Sequence, residues 1–284
     1  MKYKMDLSII IVNYNTLNLT LACIESVCKN THGIEYEIIV IDNDSSDGSK
    51  EKLSKYENIT FIESGDNLGF GRANNLGYKH SSGRYLLMLN SDTLVENDIL
   101  ARMVGIFDMQ PKDVACIGSL LIHADRQPCF SHGFFPRWKD EFKPNKEVKD
   151  STSIKSYSQD VEYISGADLF VRKEVADKYG LFDPDFFMYY EDVEIGFRYW
   201  KNGLRSVLFS ESGIVHLDGG SHKSSYRKVC MTSSTYILYL RKTLDKFEYR
   251  IAKSLIVIRR FFTVWHYHWS FSESLNYIKL LIKS

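Results

Sequence analysis

Cysteine is scarce: Cys23, Cys28, Cys116, Cys129 and Cys230 are odd in number and form no CxxC pair. That excludes a disulfide framework or zinc knuckle and suits a reducing cytosol. Long apolar runs are missing too. Ser8–Val12 near the start is too short for a secretory signal or a membrane span, so export by that route is not expected. There is no net charge, with 36 basic against 36 acidic side chains over 284 residues, no internal repeat and no low-complexity segment. What the chain does have is apolar bulk. At 44% hydrophobic and 14% aromatic residues it is not disordered, and its length suits one large domain, alone or with an appendage.

The neutral total hides an asymmetry. From Lys223 onward twelve Lys and Arg stand against three Asp and Glu, a net of +9, which leaves 24 against 33, or −9, on residues 1–222. An acidic body with a basic tail implies a surface partner of opposite sign, either anionic lipid or nucleic acid.

Hydrophobic periodicity organises the first half. Leu7–Val12 is a β-branched run of the kind found in strands buried on both faces, and Leu17, Leu21, Ile24 and Cys28 follow at helical spacing. Glu35–Ile41, Ile59–Ile62 and Tyr85–Leu89 read as further strands, Gly71–His80 as a helix, and Asn97–Met109 as a helix stopped by Pro111. This alternation predicts an α/β fold built on a mostly parallel sheet with helices on both faces. Residues 123–160, with Pro128, Pro136 and Pro144, form a long polar excursion. Order resumes at the strand-like Tyr163–Arg172; Glu191–Asn202 reads as a helix closed by Gly203, and Arg205–Phe209 and Ile214–Val215 as short strands leading to His216.

Ligands of open α/β sheets bind at the carboxyl ends of the strands. There the chain places Asn13-Tyr14-Asn15, Asp42-Asn43, Asn67 and Asp92. Any one of these could be ordinary turn chemistry, but four together make a crevice. Asp92, just past a buried strand, is placed to hold a divalent cation, and a second carboxylate from Glu191-Asp192 to act as a base. Acidic residues there would also suit a helix N-terminus. The aromatic stretch Phe186–Tyr190 would partly desolvate Asp192 and raise its pKa.

At Ser8–Thr16, Ile38–Ser49, Asn67–Thr93, Ser165–Val207 and His216–Ser221 the chain resembles the family 2 glycosyltransferases of the GT-A fold, and within them bacterial polysaccharide enzymes that include rhamnosyltransferases. The resemblance covers most of residues 7–221. It implies a GT-A, Rossmann-like mixed sheet over residues 1–222, with a donor-binding half at 1–122 and an acceptor-side half at 123–222. Val12, Asn13, Tyr14, Asp42, Asn43, Asn67, Gly71, Arg72, Asn90, Ser91 and Asp92 would line the nucleotide-sugar site. Within it, Asn13 and Tyr14 border the base, Asp42 and Asn43 hold base and ribose, and the glycine-bearing backbone with Arg72 and Asn74 approaches the diphosphate.

Asp92 corresponds to the last carboxylate of the family's DxD motif, with Asn90 at its first position. One carboxylate leaves Mg²⁺ or Mn²⁺ to be completed by His216, diphosphate oxygens and water; Asp218 is the weaker candidate. Glu191-Asp192 corresponds to the ED motif, with Asp192 the catalytic base and Glu191 and Gly166 on the acceptor side. Arg198-Tyr199-Trp200 departs from the QxxRW motif of processive synthases and reads as helix packing, which favours a distributive enzyme.

The tail, 223–284, is helical in pattern. On a helical wheel Ile251, Leu255, Ile258, Phe262, Trp265 and Trp269 fall on one line, Lys253 and Arg260 lie opposite, and Arg250 and Arg259 flank it. Such a helix suits a membrane interface; packing against protein is the alternative. Two arginines in the most apolar window, each costing roughly 2.5–3.5 kcal/mol at mid-bilayer, argue against a span. The expectation is therefore an inverting, metal-dependent transferase, cytoplasmic and peripheral on the inner face of the cell membrane. It would move rhamnose from dTDP-rhamnose, or a hexose from a UDP-hexose, to a polyprenyl-linked glycan, with no nucleic acid as partner. The alternative is a catalytically silent nucleotide-sugar-binding scaffold subunit.

Overall fold

A computed structural model describes residues 3–143, 150–217, 225–267 and 269–284. The chain divides into two compact units: Met1–Phe135, Asp150–Phe187 and Glu191–Gly220 form the first, and Pro136–Lys149, Met188–Tyr190 and Ser221–Ser284 the second.

The first unit runs β1 (Met5–Asn13), α1 (Leu17–Lys29), β2 (Tyr36–Asp42), α2 (Ser49–Leu53), β3 (Thr60–Glu63), α3 (Gly69–Lys79), β4 (Gly83–Asn90), β5 (Thr93–Val95) and α4 (Ile99–Asp108). It continues through β6 (Val114–His123), β7 (His132–Gly133), β8 (Ser158–Val161), β9 (Tyr163–Ile164), β10 (Asp168–Arg172), α5 (Lys173–Tyr179), α6 (Glu191–Lys201) and β11 (Arg205–His216). The main sheet has the order β3-β2-β1-β4-β10-β6-β11-β5, with β8 beside β11.

Its first half is parallel, as the β-branched runs predict: β2 and β4 flank β1, with Asn13 opposite Asp42 and Val12 opposite Asn90. Buried Ile9, Ile11, Leu87 and Leu89 join α1 and α4 in one core, while Ile10, Ile39 and Ile41 face Ala73 of α3. Three strand ends therefore meet at one edge. Beyond β4 the sheet changes sense, because β10 inserts antiparallel between β4 and β6. The stretch read as one strand at 163–172 is two, β9 and β10, and the two short strands expected at 205–215 are one irregular strand, β11, with register shifts between Leu208 and Ile214. The helix ending before Gly203 is present, and Gly203 takes the left-handed conformation that stops it.

The second unit contains α7 (Tyr226–Thr243), α8 (Lys246–Thr263) and α9 (Phe271–Lys283), together with a 3₁₀ turn at Trp138–Phe142. Ser225, Asp245 and Ser270 cap the three helices, Ser270 through a full capping box with Glu273. No helix among the described residues is long and apolar enough to cross a membrane.

Inside this unit the α8 wheel holds, with a consequence the sequence does not announce. Ala252 and Ile256 are buried, and Arg260 turns inward to Glu141 at 3.1 Å. The apolar line of Ile251, Leu255, Ile258 and Phe262 is the exposed side, Phe262 being 70% accessible. Arg259, which flanks that line, also pairs with Glu141, at 3.6 Å. Trp269 leaves the line: α8 ends at Thr263, a 3₁₀ turn follows over Val264–Tyr267, and Trp269 packs on Tyr226, Tyr267 and Tyr277.

Candidate active site

At the parallel edge, polar side chains bind one another first. Asn13 is fully buried; its Nδ2 donates to Asp42 Oδ1 at 2.7 Å and Ser45 Oγ at 2.9 Å, and its Oδ1 accepts from Thr20 and Thr16. Asn43 donates to Asn67 Oδ1 at 3.1 Å and Gly69 O at 3.3 Å, and accepts the Leu68 N–H at 2.9 Å. Asn13, expected to border the base, and Asn43, expected to hold base or ribose, are each engaged by neighbouring protein groups. Their amides are turned to protein, so they set the carboxylate of Asp42 and the turn at 67–69. Tyr14 is half exposed at the end of β1, and Val12 sits half-buried beside Ile62 and Leu68. Ser91 Oγ lies 3.1 Å from Thr16 Oγ1.

At α3 the expected diphosphate-side residues also meet protein. A Cβ on Gly71 would press on Phe182 and approach Glu191, and one on Gly69, which has φ +76°, would collide with the Phe187 carbonyl. Arg72 donates its Nε to Pro184 O at 2.6 Å. These residues permit a close approach to the 182–187 loop. Asn74, the other candidate there, donates to Phe70 O inside its own helix. Asn75 grips the loop as well, donating to Phe182 O at 2.7 Å and accepting its N–H at 3.0 Å.

At the other edge, β11 pairs with β5 so that His216 lies opposite Thr93, and the Leu217 N–H donates to Asp92 O. His216 Nε2 comes within 3.2 Å of Asp92 Oδ1 and 3.4 Å of Asn90 Nδ2, while its Nδ1 faces Cys129 Sγ at 3.7 Å. Burial alone would lower the imidazole pKa, but the Asp92 carboxylate and Cys129 outweigh it and raise it to about 10. With its proton displaced, the imidazole would converge with the Asp92 carboxylate as two ligands of a divalent cation. No group of three or more His, Cys, Asp or Glu able to hold a metal occurs among the described residues. Asp218 lies outside them.

Glu191 and Asp192 open α6. Asp192 accepts the Gly166 N–H at 3.3 Å on Oδ2 and its neighbour Val193's N–H at 2.8 Å on Oδ1. Gly166, expected on the acceptor side, therefore touches the base candidate itself. Burial raises the Asp192 carboxyl above the ordinary range although part of the residue stays accessible. Glu191, expected on the acceptor side, is buried, and burial followed by the charge of Asp192 raises its carboxyl as well. Its Oε2 has no hydrogen-bond partner among the described residues. Arg198 acts as helix packing, pairing with Glu194 and donating to the carbonyls of Gly180 and Leu181.

The family model described as Glycosyl transferase family 2 matches residues 8–180, more than half of the chain. The chain belongs to that family. Among the relatives of this glycosyltransferase, low-salt glycan biosynthesis hexosyltransferase Agl10 of Haloferax volcanii is 24% identical over 272 residues, 88% of this chain and 82% of the relative. N-acetylglucosaminyl-diphospho-decaprenol L-rhamnosyltransferase of Mycobacterium tuberculosis is 25% identical over 236 residues, 70% of this chain and 73% of the relative. In structure it is similar to GalNAc-T7 solved with UDP, GalNAc and Mn²⁺, at a TM-score of 0.63 and 19% identity, covering 86% of this chain and 49% of that one. That likeness supports the GT-A fold, a mixed sheet with helices, and the second unit's C-terminal helices complete the expected architecture.

Two residues of this transferase's site region, and one at the far end of the sheet, escape sequence reasoning. Cys129 sits behind His216, and nothing in its spacing links it to a histidine 87 residues away. Asp168 is buried in β10, with Oδ2 accepting the Ser119 N–H and hydroxyl and with burial raising it to about 7. Arg172 ends the same strand at the far end of the sheet and donates to the carbonyls of Val114, Phe107 and Gln110.

Proposed function

We propose that this enzyme transfers a sugar with inversion from a nucleoside-diphosphate donor to an acceptor hydroxyl, with Asp192 as the base. The carrying observation is the Asp192 carboxylate at the start of α6, raised by burial and oriented by the Gly166 N–H. Deprotonated Asp192 takes the acceptor proton, the freed oxygen bonds to the anomeric carbon, and the nucleoside diphosphate leaves with the electrons of the broken bond. Asp92 and His216 would hold Mg²⁺ or Mn²⁺, which when bound offsets negative charge on the diphosphate. Asp42, ordered by Asn13, and the exposed ring of Tyr14 would receive the nucleoside. dTDP-rhamnose is the favoured donor and a UDP-hexose the alternative; the mycobacterial relative supports the first.

Titration calorimetry with dTDP and UDP, with and without Mn²⁺, tests the site. Wild type is expected to bind one nucleotide in a Mn²⁺-dependent manner, and Asp92→Ala to lose that dependence with at least about a tenfold weaker Kd. Binding of neither nucleotide would remove the reading.

The acceptor we propose is a polyprenyl-linked glycan at the inner face of the cell membrane. The support is the exposed apolar line of α8 in a unit of basic composition. Full-length protein is expected to sediment with anionic lipid vesicles. Replacing Ile258 and Phe262 together by Asp should weaken this about tenfold or more, since each side chain contributes about 1.5–3 kcal/mol when buried. Equal sedimentation of the double variant, or retention on DNA in place of vesicles, would refute membrane docking.

A further inference from the structure

The turn that faces Asp192 is held from behind by a buried side chain. β9 ends at Ile164 and β10 begins at Asp168, and the residues between them serve both sides of the candidate site. The Gly166 N–H donates to Asp192 Oδ2 at 3.3 Å, and Ala167 O accepts the Asn90 N–H at 3.3 Å. A Cβ on Gly166 would press on the Phe70 ring at 3.2 Å and meet Asp192 Cβ at 3.9 Å, so backbone and carboxylate lie close together here.

β10 is gripped differently on its two sides. Towards β4 the antiparallel ladder runs its whole length, from Arg172 opposite Tyr85 to Asp168 opposite Leu89. Towards β6 it stops after two pairs, Val171 with Cys116 and Phe170 with Ile117. The same register continued would set Asp168 opposite Ser119, and there the side chain takes over. Asp168 Oδ2 accepts the Ser119 N–H at 2.8 Å and the Ser119 hydroxyl at 2.5 Å. Asp168 is buried, and its Oδ1 has no hydrogen-bond partner among the described residues. Burying a carboxyl that is satisfied on one oxygen is costly, yet that oxygen is what ties the start of β10 to β6. The bonds within the turn are long: Ala167 N–H to Ser165 Oγ at 3.4 Å and Asp168 N–H to Ser165 O at 3.3 Å. The Gly166 bond to Asp192 is also long enough that a small displacement breaks it.

We propose that Asp168 is a positioning residue for the base: by binding Ser119 it fixes the 165–167 turn so that the Gly166 N–H meets Asp192. The proposal rests on Asp192 being the base. The role assigned to Asp168 is hydrogen-bond acceptance. Since both bonds from Ser119 end on one oxygen, an amide can accept them as well.

The test compares full-length wild type, Asp168→Asn, Asp168→Ala, Ser119→Ala and Asp192→Asn. It reads hydrogen exchange in the peptide spanning 163–172, the nucleotide Kd, and the kcat and pH profile of transfer to a short-chain polyprenyl-diphosphate oligosaccharide. The donor is dTDP-rhamnose, or a UDP-hexose where calorimetry selects UDP. Asp168→Ala should speed exchange in that peptide and lower kcat by about 100-fold, the cost of roughly 1 Å of misplacement, with the nucleotide Kd within about twofold of wild type. Burial raises the Asp192 carboxyl and the Gly166 N–H draws it back, so losing that bond should also move the acid limb of kcat/KM to higher pH. Ser119→Ala keeps the backbone N–H and should lower kcat by about tenfold or less, the worth of one hydrogen bond. Where Asp168→Ala unfolds, Ser119→Ala decides in its place. Asp168→Asn should stay within about threefold of wild type. Wild-type kcat and acid limb in both alanine variants overturn the positioning role, and so does an Asp168→Asn variant as slow as Asp168→Ala. Full transfer by Asp192→Asn overturns the base reading instead. Failure of the positioning role alone leaves Asp192→Asn inactive, so the two failures are told apart.

Discussion

Replacing Asp192 by Asn is expected to lower turnover by about 10²–10⁴-fold, the range of a lost general base, with nucleotide binding unchanged. The amide keeps the shape but has one acceptor oxygen in place of two, so it keeps only one of the N–H bonds that Asp192 accepts on separate oxygens from Gly166 and Val193, and about 1 kcal/mol of stability goes with the other. What disappears is the ability to take a proton. In the proposed role the same carboxylate would set the pH dependence of wild type. Its folded pKa is raised by burial, so the active, deprotonated form is lost as pH falls through a value above the ordinary carboxylate figure of about 4. The pH profile of kcat/KM should therefore show an acid limb displaced upward from that figure. A profile flat down to pH 4, or an Asn variant of near wild-type turnover, would assign the proton transfer elsewhere.

Arg172→Ala is expected to cost about 3 kcal/mol or more of stability, read from denaturant midpoints, because it strands several buried carbonyls at once. The guanidinium donates to Val114 O at 2.8 Å, Gln110 O at 2.9 Å and Phe107 O at 3.1 Å, and lies 4.4 Å from the centre of the Phe107 ring. It thereby closes the C-terminal end of α4 with a cation, where the helix dipole favours one. Arg172→Lys should recover little, since one ammonium cannot match a planar fork that serves carbonyls in different directions. The effect extends to the site. β10 runs from Asp168 to Arg172 directly after Gly166, so loosening its far end should also lower turnover. A stability loss below about 1 kcal/mol would mean that water replaces the guanidinium at those carbonyls.

By itself the sequence determined the parallel half of the sheet and the residues at its edge. The runs at Leu7–Val12 and Tyr85–Leu89 are apolar but for the buried Ser8 because both faces are covered, and a polar residue ends each run where the chain leaves the core. That is why Asn13, Asp42 and Asp92 could be placed from the pattern alone, while Asp192 and His216 were singled out by the resemblance to family 2 glycosyltransferases. The apolar line on α8 was equally readable from its period.

Tertiary structure decided what those side chains face. An Asn at a strand end can bind ligand or protein, and only the neighbours show that Asn13 and Asn43 serve Asp42 and the 67–69 turn. A glycine leaves room without saying for what; at Gly71 the occupants are Phe182 and Glu191. Periodicity finds the apolar side of a helix but not which side is covered, and on α8 the inward side carries Ala252, Ile256 and the Arg260 to Glu141 pair. The insertion of β10 between β4 and β6, the reach of Cys129 to His216 and the bond from Ser119 to Asp168 all join residues far apart in the chain. Contacts of that kind depend on which surfaces meet once the core has closed, and a local pattern of residues carries no record of them.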